Sequence, residues 1–240
     1  MRRNLLVAVV VVIGVIIYVV VTGISSSIRL EFDFRQGAQG WEAGFAEYSV
    51  EMEGLMLESE IRPLPSEFGV NGTGYYLQGM NHSDDLFMFL NRRLGMDDGV
   101  VPGREYRVMF TIVLASNAPS GAAGIGGAPG ESVYLKAGAS SVEPEVYLDA
   151  DTDYYLMNVD KGWGNSGSGT AASVVGNIAN GLSAEEDPRY ISLEPDHEHE
   201  YTATASPDGQ LWLLVGTDSG FEGLTAIYYQ SVSVTLIPLW

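Results

Sequence analysis

Two short runs in this sequence bring together side chains able to recognise a polar ligand. In Asn81-His82-Ser83-Asp84-Asp85, an amide, an imidazole and two carboxylates precede the apolar Leu86-Phe87-Met88-Phe89. Such groups hydrogen-bond sugar hydroxyls or hold a cation, and the same residue types also close turns by accepting from nearby backbone amides. The second run is Lys161-Gly162-Trp163-Gly164-Asn165, where the indole has no alternating apolar neighbours to bury it. An exposed indole offers a flat face to a sugar ring or a protein partner. Asn81, His82, Asp84, Asp85, Lys161, Trp163 and Asn165 are therefore the candidate ligand contacts.

Metal sites form a second group of candidates. Asp149, Asp151 and Asp153 alternate, and Asp160 falls where a twelve-residue calcium loop places its last acid. Tyr154 stands where that loop needs glycine, and the last acid is Asp in place of Glu, so the rival reading is a solvated acidic hairpin. His197 and His199 alternate as well; in a strand both rings face one way, and with His82 they make a conceivable three-histidine zinc site. Adding Asp84 and Asp85 gives the alternative of a metal-dependent hydrolase. No residue is assigned a catalytic role, since the sequence lacks a Gly-x-Ser-x-Gly elbow, a dinucleotide glycine motif and a phosphate loop.

Composition narrows the classes further. Among 240 residues, 31 Asp plus Glu oppose 12 Lys plus Arg, a formal charge of −19. Nucleic acid is excluded as a partner, because phosphate contacts need clustered cations. The absence of cysteine removes disulfides, thiolate nucleophiles, iron–sulfur clusters and a lipid-bearing cysteine anchor. With 46% hydrophobic residues the chain can build a packed core.

The elements that must position these groups are strands. Ile28, Leu30, Phe32 and Phe34 alternate with Arg29, Glu31, Asp33 and Arg35, which marks a half-buried strand. Similar segments recur at 45–52, 74–77, 86–90, 106–114, 133–136, 154–159, 201–205, 211–215 and 226–237, about ten strands in all. Turn formers such as Asp97-Asp98-Gly99 and Pro207-Asp208-Gly209 separate them. The glycine-rich stretches 120–130 and 162–181 read as surface loops. Of the aromatics in or beside strands, Trp41, Tyr75, Tyr76, Trp212, Tyr228 and Tyr229, about half are expected in the core.

Ahead of the strands, Leu5 to Ile24 are twenty uncharged residues, enough for a helix of roughly 30 Å. Arg2 and Arg3 precede them, so the N-terminus is expected in the cytoplasm and the remainder outside. A cleaved signal peptide is the competing reading. Residues 1–24 are thus assigned to a transmembrane anchor, 25–27 to a short stalk and 28–240 to one extracytoplasmic β-sandwich domain. Without the two leading arginines, ten cations face 31 acids, a charge near −21. Asn71-Gly72-Thr73 and Asn81-His82-Ser83 are glycosylation sequons in the exported part.

Three segments then carry a resemblance: Gly40-Trp41-Glu42-Ala43-Gly44-Phe45, Val101-Pro102-Gly103-Arg104-Glu105-Tyr106-Arg107-Val108, and Ala226-Ile227-Tyr228-Tyr229-Gln230-Ser231-Val232-Ser233-Val234-Thr235-Leu236. Together they resemble the jelly-roll of carbohydrate-binding modules and other galactose-binding-like domains. The resemblance implies an all-β, two-sheet antiparallel jelly-roll sandwich, here preceded by one N-terminal transmembrane helix, with its first and last strands adjacent. It also implies a non-catalytic binding role, with carbohydrate or another cell-surface ligand as partner. Such modules often carry a structural calcium near an aspartate of the last strand, where this chain has Gln230. The 81–89 run, with Gly127-Ala128-Pro129-Gly130-Glu131-Ser132-Val133, is also similar to secreted or lipid-anchored bacterial proteins of unassigned activity. A structural envelope protein that self-associates is the remaining alternative.

Overall fold

The computed structural model describes residues 27–68, 71–83 and 85–239. The expected anchor and most of the stalk lie outside them, as does Asp84; no helix among the described residues is long and apolar enough to cross a membrane.

The described chain is built of strands: β1 (Ile28–Asp33), β2 (Glu42–Ala46), β3 (Tyr48–Ser49), β4 (Glu58–Pro63), β5 (Thr73–Met80) and β6 (Phe87–Leu94). Next come β7 (Glu105–Ser116), β8 (Val133–Ser140), β9 (Val146–Asp149), β10 (Tyr154–Met157) and β11 (Ser173–Asn177). The last are β12 (Ile191–Leu193), β13 (Asp196–Glu198), β14 (Ala203–Thr204), β15 (Leu211–Ser219) and β16 (Leu224–Pro238). All paired strands are antiparallel and form three sheets.

In the first sheet β12, β7, β16, β5 and β4 lie side by side, with β1 also on β16 and β13 and β14 on β7. In the second the order is β11, β8, β15, β6, β2. Strands β5 to β8 alternate between the two sheets, and β15 and β16 return to the interior of each, which is the jelly-roll connection. The first and last strands are adjacent, with Ile28 opposite Leu236 and Asp33 opposite Ser231.

Alternation sorts residues between core and surface. Along β7, Tyr106, Val108, Phe110, Ile112 and Leu114 are buried between the sheets, while Glu105, Arg107 and Met109 face out. At one end Trp41 receives the edges of Phe32 (centroids 5.5 Å apart) and Phe34 (6.2 Å), and Phe34 in turn meets Tyr75 at 5.6 Å. Replacing Trp41 with alanine removes a fully buried ring and is expected to cost about 3–5 kcal/mol, read as a lowered midpoint in chemical denaturation.

Three expectations are corrected. More than half of the strand aromatics are buried: only Trp212 is not, because Tyr76 and Tyr228 on the first sheet's other face are covered by Tyr190, Leu64 and Phe68. The glycine-rich stretch 162–181 is not wholly loop, since Ser173–Asn177 pairs with β8. The sandwich also has more than two sheets. Phe87, Phe89 and Leu214 point away from the main core, and a small third sheet of β3, β10 and β9 covers them. Two glycines let those rings lie flat, since a Cβ at Gly44 would come 2.3 Å from the Phe89 ring and one at Gly216 2.9 Å from Phe87.

Candidate functional site

The outer face of the second sheet carries more than apolar rings. Lys136 on β8 and Asp218 on β15 point the same way as Phe87 and Leu214, and both are fully buried. Asp218 Oδ2 accepts from Lys136 Nζ at 2.7 Å and from Lys161 Nζ at 2.8 Å. Lys136 Nζ also donates to the carbonyls of Lys161 (2.9 Å) and Gly164 (3.4 Å), so its three protons are all engaged. The ammonium thus supports, from below, the loop that leaves β10.

That loop is closed on itself. The Asp160 carboxylate accepts from the amides of Gly162 (3.0 Å) and Thr170 (2.9 Å) and from Thr170 Oγ1 (3.1 Å). Those bonds, the Thr170 amide foremost, hold Asp160 below the usual carboxylate range. The backbone passes so close that a Cβ on Gly162 would sit 2.1 Å from the Gly167 carbonyl, and Gly162 has φ 95°. At its tip Trp163 is 95% exposed, as its sequence setting predicts.

Beside Trp163 lies an open depression of about 400 Å³, lined by Glu47, Asp85, Met157, Val159, Asp160, Lys161, Trp163 and the two flanking glycines. The loop between β5 and β6 contributes Asp85, and the corner between β2 and β3 contributes Glu47. Glu47 holds a left-handed backbone at φ 68°, a conformation of a few per cent of non-glycine residues and one enriched where a site is under strain.

Electrostatics tie floor to rim. Asp85 is pushed up to about 8, by burial first and then by the neighbouring charge of Asp218. Asp85 Oδ1 and Asp218 Oδ1 are both buried without a hydrogen-bond partner, and a proton held by the raised Asp85 would let its carboxyl donate to Asp218. Burial raises Glu47. Burial also works against the Lys161 charge, but Asp218, Glu47 and Asp85 outweigh it and raise its value, whereas for Lys136 burial wins and lowers it.

A consequence for stability follows from the sign of the Asp85 shift. Between about pH 4 and 8 the folded state keeps a proton that the unfolded chain has released, so stability falls as pH rises through that window. Asp85→Asn mimics the protonated carboxyl at every pH. The melting temperature of that variant is expected to fall less than that of the parent between pH 5 and 9, as followed by circular dichroism.

Of the sequence candidates, Asp85, Lys161 and Trp163 meet in this depression. Asn165 lies against Gly220, whose added Cβ would approach its Nδ2 to 2.2 Å. Asn81 is buried, its amide donating to the carbonyls of Ser219 (2.9 Å) and Phe221 (3.1 Å). This leaves no space for a glycan on Asn81 in the folded domain, while Asn71 is exposed. His82 is exposed, with Nε2 3.2 Å from the Gly54 carbonyl. Sequence reasoning missed Glu47, Lys136 and Asp218 as members of a site.

The metal candidates among the described residues do not gather. Among the described residues no group of three or more His, Asp or Glu is placed to hold a metal ion. Asp149 accepts from Thr152 Oγ1 at 2.6 Å within the β9–β10 hairpin, while Asp160 is engaged by its own loop. His197 and His199 do point one way, as their spacing predicts, and meet at Ser173. Nε2 of His199 lies 3.1 Å from the Thr170 carbonyl and must donate there, so Nδ1 accepts from Ser173 Oγ at 2.7 Å. Ser173 Oγ then accepts from His197 Nε2 at 2.8 Å and from the Glu200 amide at 3.1 Å. Burial lowers both imidazoles, in keeping with this neutral clasp between β11 and the chain from β13 onward.

Fold and site together define a jelly-roll β-sandwich with an exposed indole beside an open, carboxyl-lined depression. No family model matches the chain, and no curated protein does. Several solved structures are similar to it. One is described by the promiscuous specificity of carbohydrate-binding modules from the β-sandwich superfamily; at 13% identity and a TM-score of 0.36, the match covers 87% of this chain. The chain spans 61% of that structure's length. Another is CBM27-1 of Caldicellulosiruptor saccharolyticus in complex with mannohexaose, at 8% identity and a TM-score of 0.37, covering 85% of this chain and 95% of that one. The K3 cleaved adhesin domain of Lys-gingipain from Porphyromonas gingivalis matches at 12% identity and a TM-score of 0.38, covering 88% and 99%.

Proposed function

We propose that this domain binds a carbohydrate chain at the Trp163 depression, without chemistry of its own, and that residues 5–24 hold it at the outer face of a membrane. The observation that carries the reading is a fully presented indole on a loop whose shape is fixed from beneath and within. A preorganised aromatic face spends little entropy on binding. Polar groups at its side, Asp85 and Glu47 among them, are of the kind that orient a hydroxylated ligand. Burial of the Ser173–His199 pair supports a non-catalytic role, since a nucleophile there would be out of reach of a substrate.

The test is a glycan array probed with the purified full chain, spanning neutral and acidic polysaccharides. Binding to at least one class, with micromolar to millimolar affinity by calorimetry, is expected; a blank array sinks the reading. For the anchor, the chain should stay with the membrane pellet through an alkaline wash, and its release would count against the assignment.

A further inference from the structure

We infer that the Trp163 site takes uncharged sugar chains and discriminates against uronic-acid and other anionic ones, an inference that rests on the carbohydrate reading above. It begins with what lines the depression: three carboxyl groups, Glu47, Asp85 and Asp160, and one cation, Lys161.

A lone lysine could in principle recruit a ligand carboxylate, but this one is already committed. Lys161 is 5% exposed, its Nζ is bound to Asp218 Oδ2 at 2.8 Å, and it lies 5.4 Å from the centre of the Phe87 ring. Glu47 and Asp85 both act on its charge. Lys136, the other cation nearby, is fully buried with every proton donated. Neither ammonium can turn toward a ligand without abandoning a buried carboxylate, a strongly unfavourable exchange.

The negative groups are differently placed. Asp160 is exposed and its carboxylate is held in the ionised form by amides of its own loop, and Glu47 lines the same depression. A carboxylate on a bound sugar would therefore meet like charge at short range with no cation to offset it. Around the site the whole chain adds a field of the same sign, with a net charge of −19. Hydroxyl groups meet no such opposition, because carboxylates accept their protons and a protonated Asp85 can donate.

Matched oligosaccharides that differ only in charge test this. Calorimetry would compare mannohexaose with the β-1,4-mannuronate hexamer, and cellohexaose with the β-1,4-glucuronate hexamer, at 20 mM and 500 mM NaCl. Within any pair that binds, the neutral member should bind at least tenfold more tightly at low salt. The gap should narrow at high salt, where exposed charges are screened. Glu47→Gln should narrow it too, without added salt. A uronate that binds as well as its neutral partner, or a ratio indifferent to salt and to Glu47→Gln, overturns the inference while leaving carbohydrate binding intact. If no member of either pair binds and the glycan array is also blank, the carbohydrate reading fails first and takes the charge rule with it.

Discussion

Trp163→Ala should reduce affinity for the best oligosaccharide about thirtyfold or more while leaving the melting temperature unchanged. The size follows from truncating a tryptophan that dominates a contact surface, which typically costs 2 kcal/mol or more, close to that factor. Unchanged stability follows from how little the indole does for the fold. It is 95% exposed, and the loop beneath is held by the Asp160 carboxylate, the close glycine contacts and the Lys136 ammonium, none of which involves the ring. Surface substitutions of that kind usually fall within about 0.5 kcal/mol. Trp163→Phe should recover part of the affinity, because a smaller face remains. Calorimetry beside a thermal melt separates the two effects. Binding unaltered in the alanine variant would move the site elsewhere on the sandwich.

That residue was legible in the sequence for the same reason it is exposed: a large aromatic among glycines and polar residues has nothing nearby to bury it. Alternation was equally plain in 28–35 and 106–114, and it located the strands that close and centre the first sheet. Strand β4 was not visible, because Glu58, Glu60 and Arg62 supply charge where alternation would need apolar residues. Such residues suit a strand at the edge of a sheet, where exposed backbone must discourage further pairing. Strand β11 was hidden by its serine, glycine and asparagine. Most instructive is the buried network. As sequence, Asp218-Ser219-Gly220 has the composition of a turn, and Lys136 that of an ordinary polar residue at the end of a strand segment. Asp218 and Lys161 are 57 positions apart, and no local pattern announces that the fold will bring them together. One signal was available for Lys136. It sits among Val133, Leu135, Ala137, Gly138 and Ala139, too apolar and small a setting for a lysine on an open surface.

Removing the charge of Asp218 is expected to cost stability heavily, and the way that loss depends on Asp85 tests whether the two carboxyls share a proton. Asp218→Asn leaves two buried ammonium groups without their common carboxylate. Breaking a buried pair in this way commonly costs 3–5 kcal/mol. Asp85 can soften the blow: burial, the larger cause of its raised value, persists, but with the repelling Asp218 charge gone the Lys161 ammonium draws it further toward the ionised form that can serve as counter-charge. The single variant should therefore sit near the low end of that range. Asp85→Asn alone should cost under about 1 kcal/mol at pH 6, because asparagine donates to Asp218 as the protonated acid does. In the double variant neither aspartate can supply the charge, and Glu47 is the remaining acid that acts on both lysines. Its destabilisation should exceed the sum of the two single losses by about 1 kcal/mol or more, as expected for residues in one network. Urea denaturation of the four proteins at pH 6 gives the coupling directly. Strict additivity would mean that Asp85 and Asp218 do not share a proton, and the two partnerless oxygens would then need another explanation.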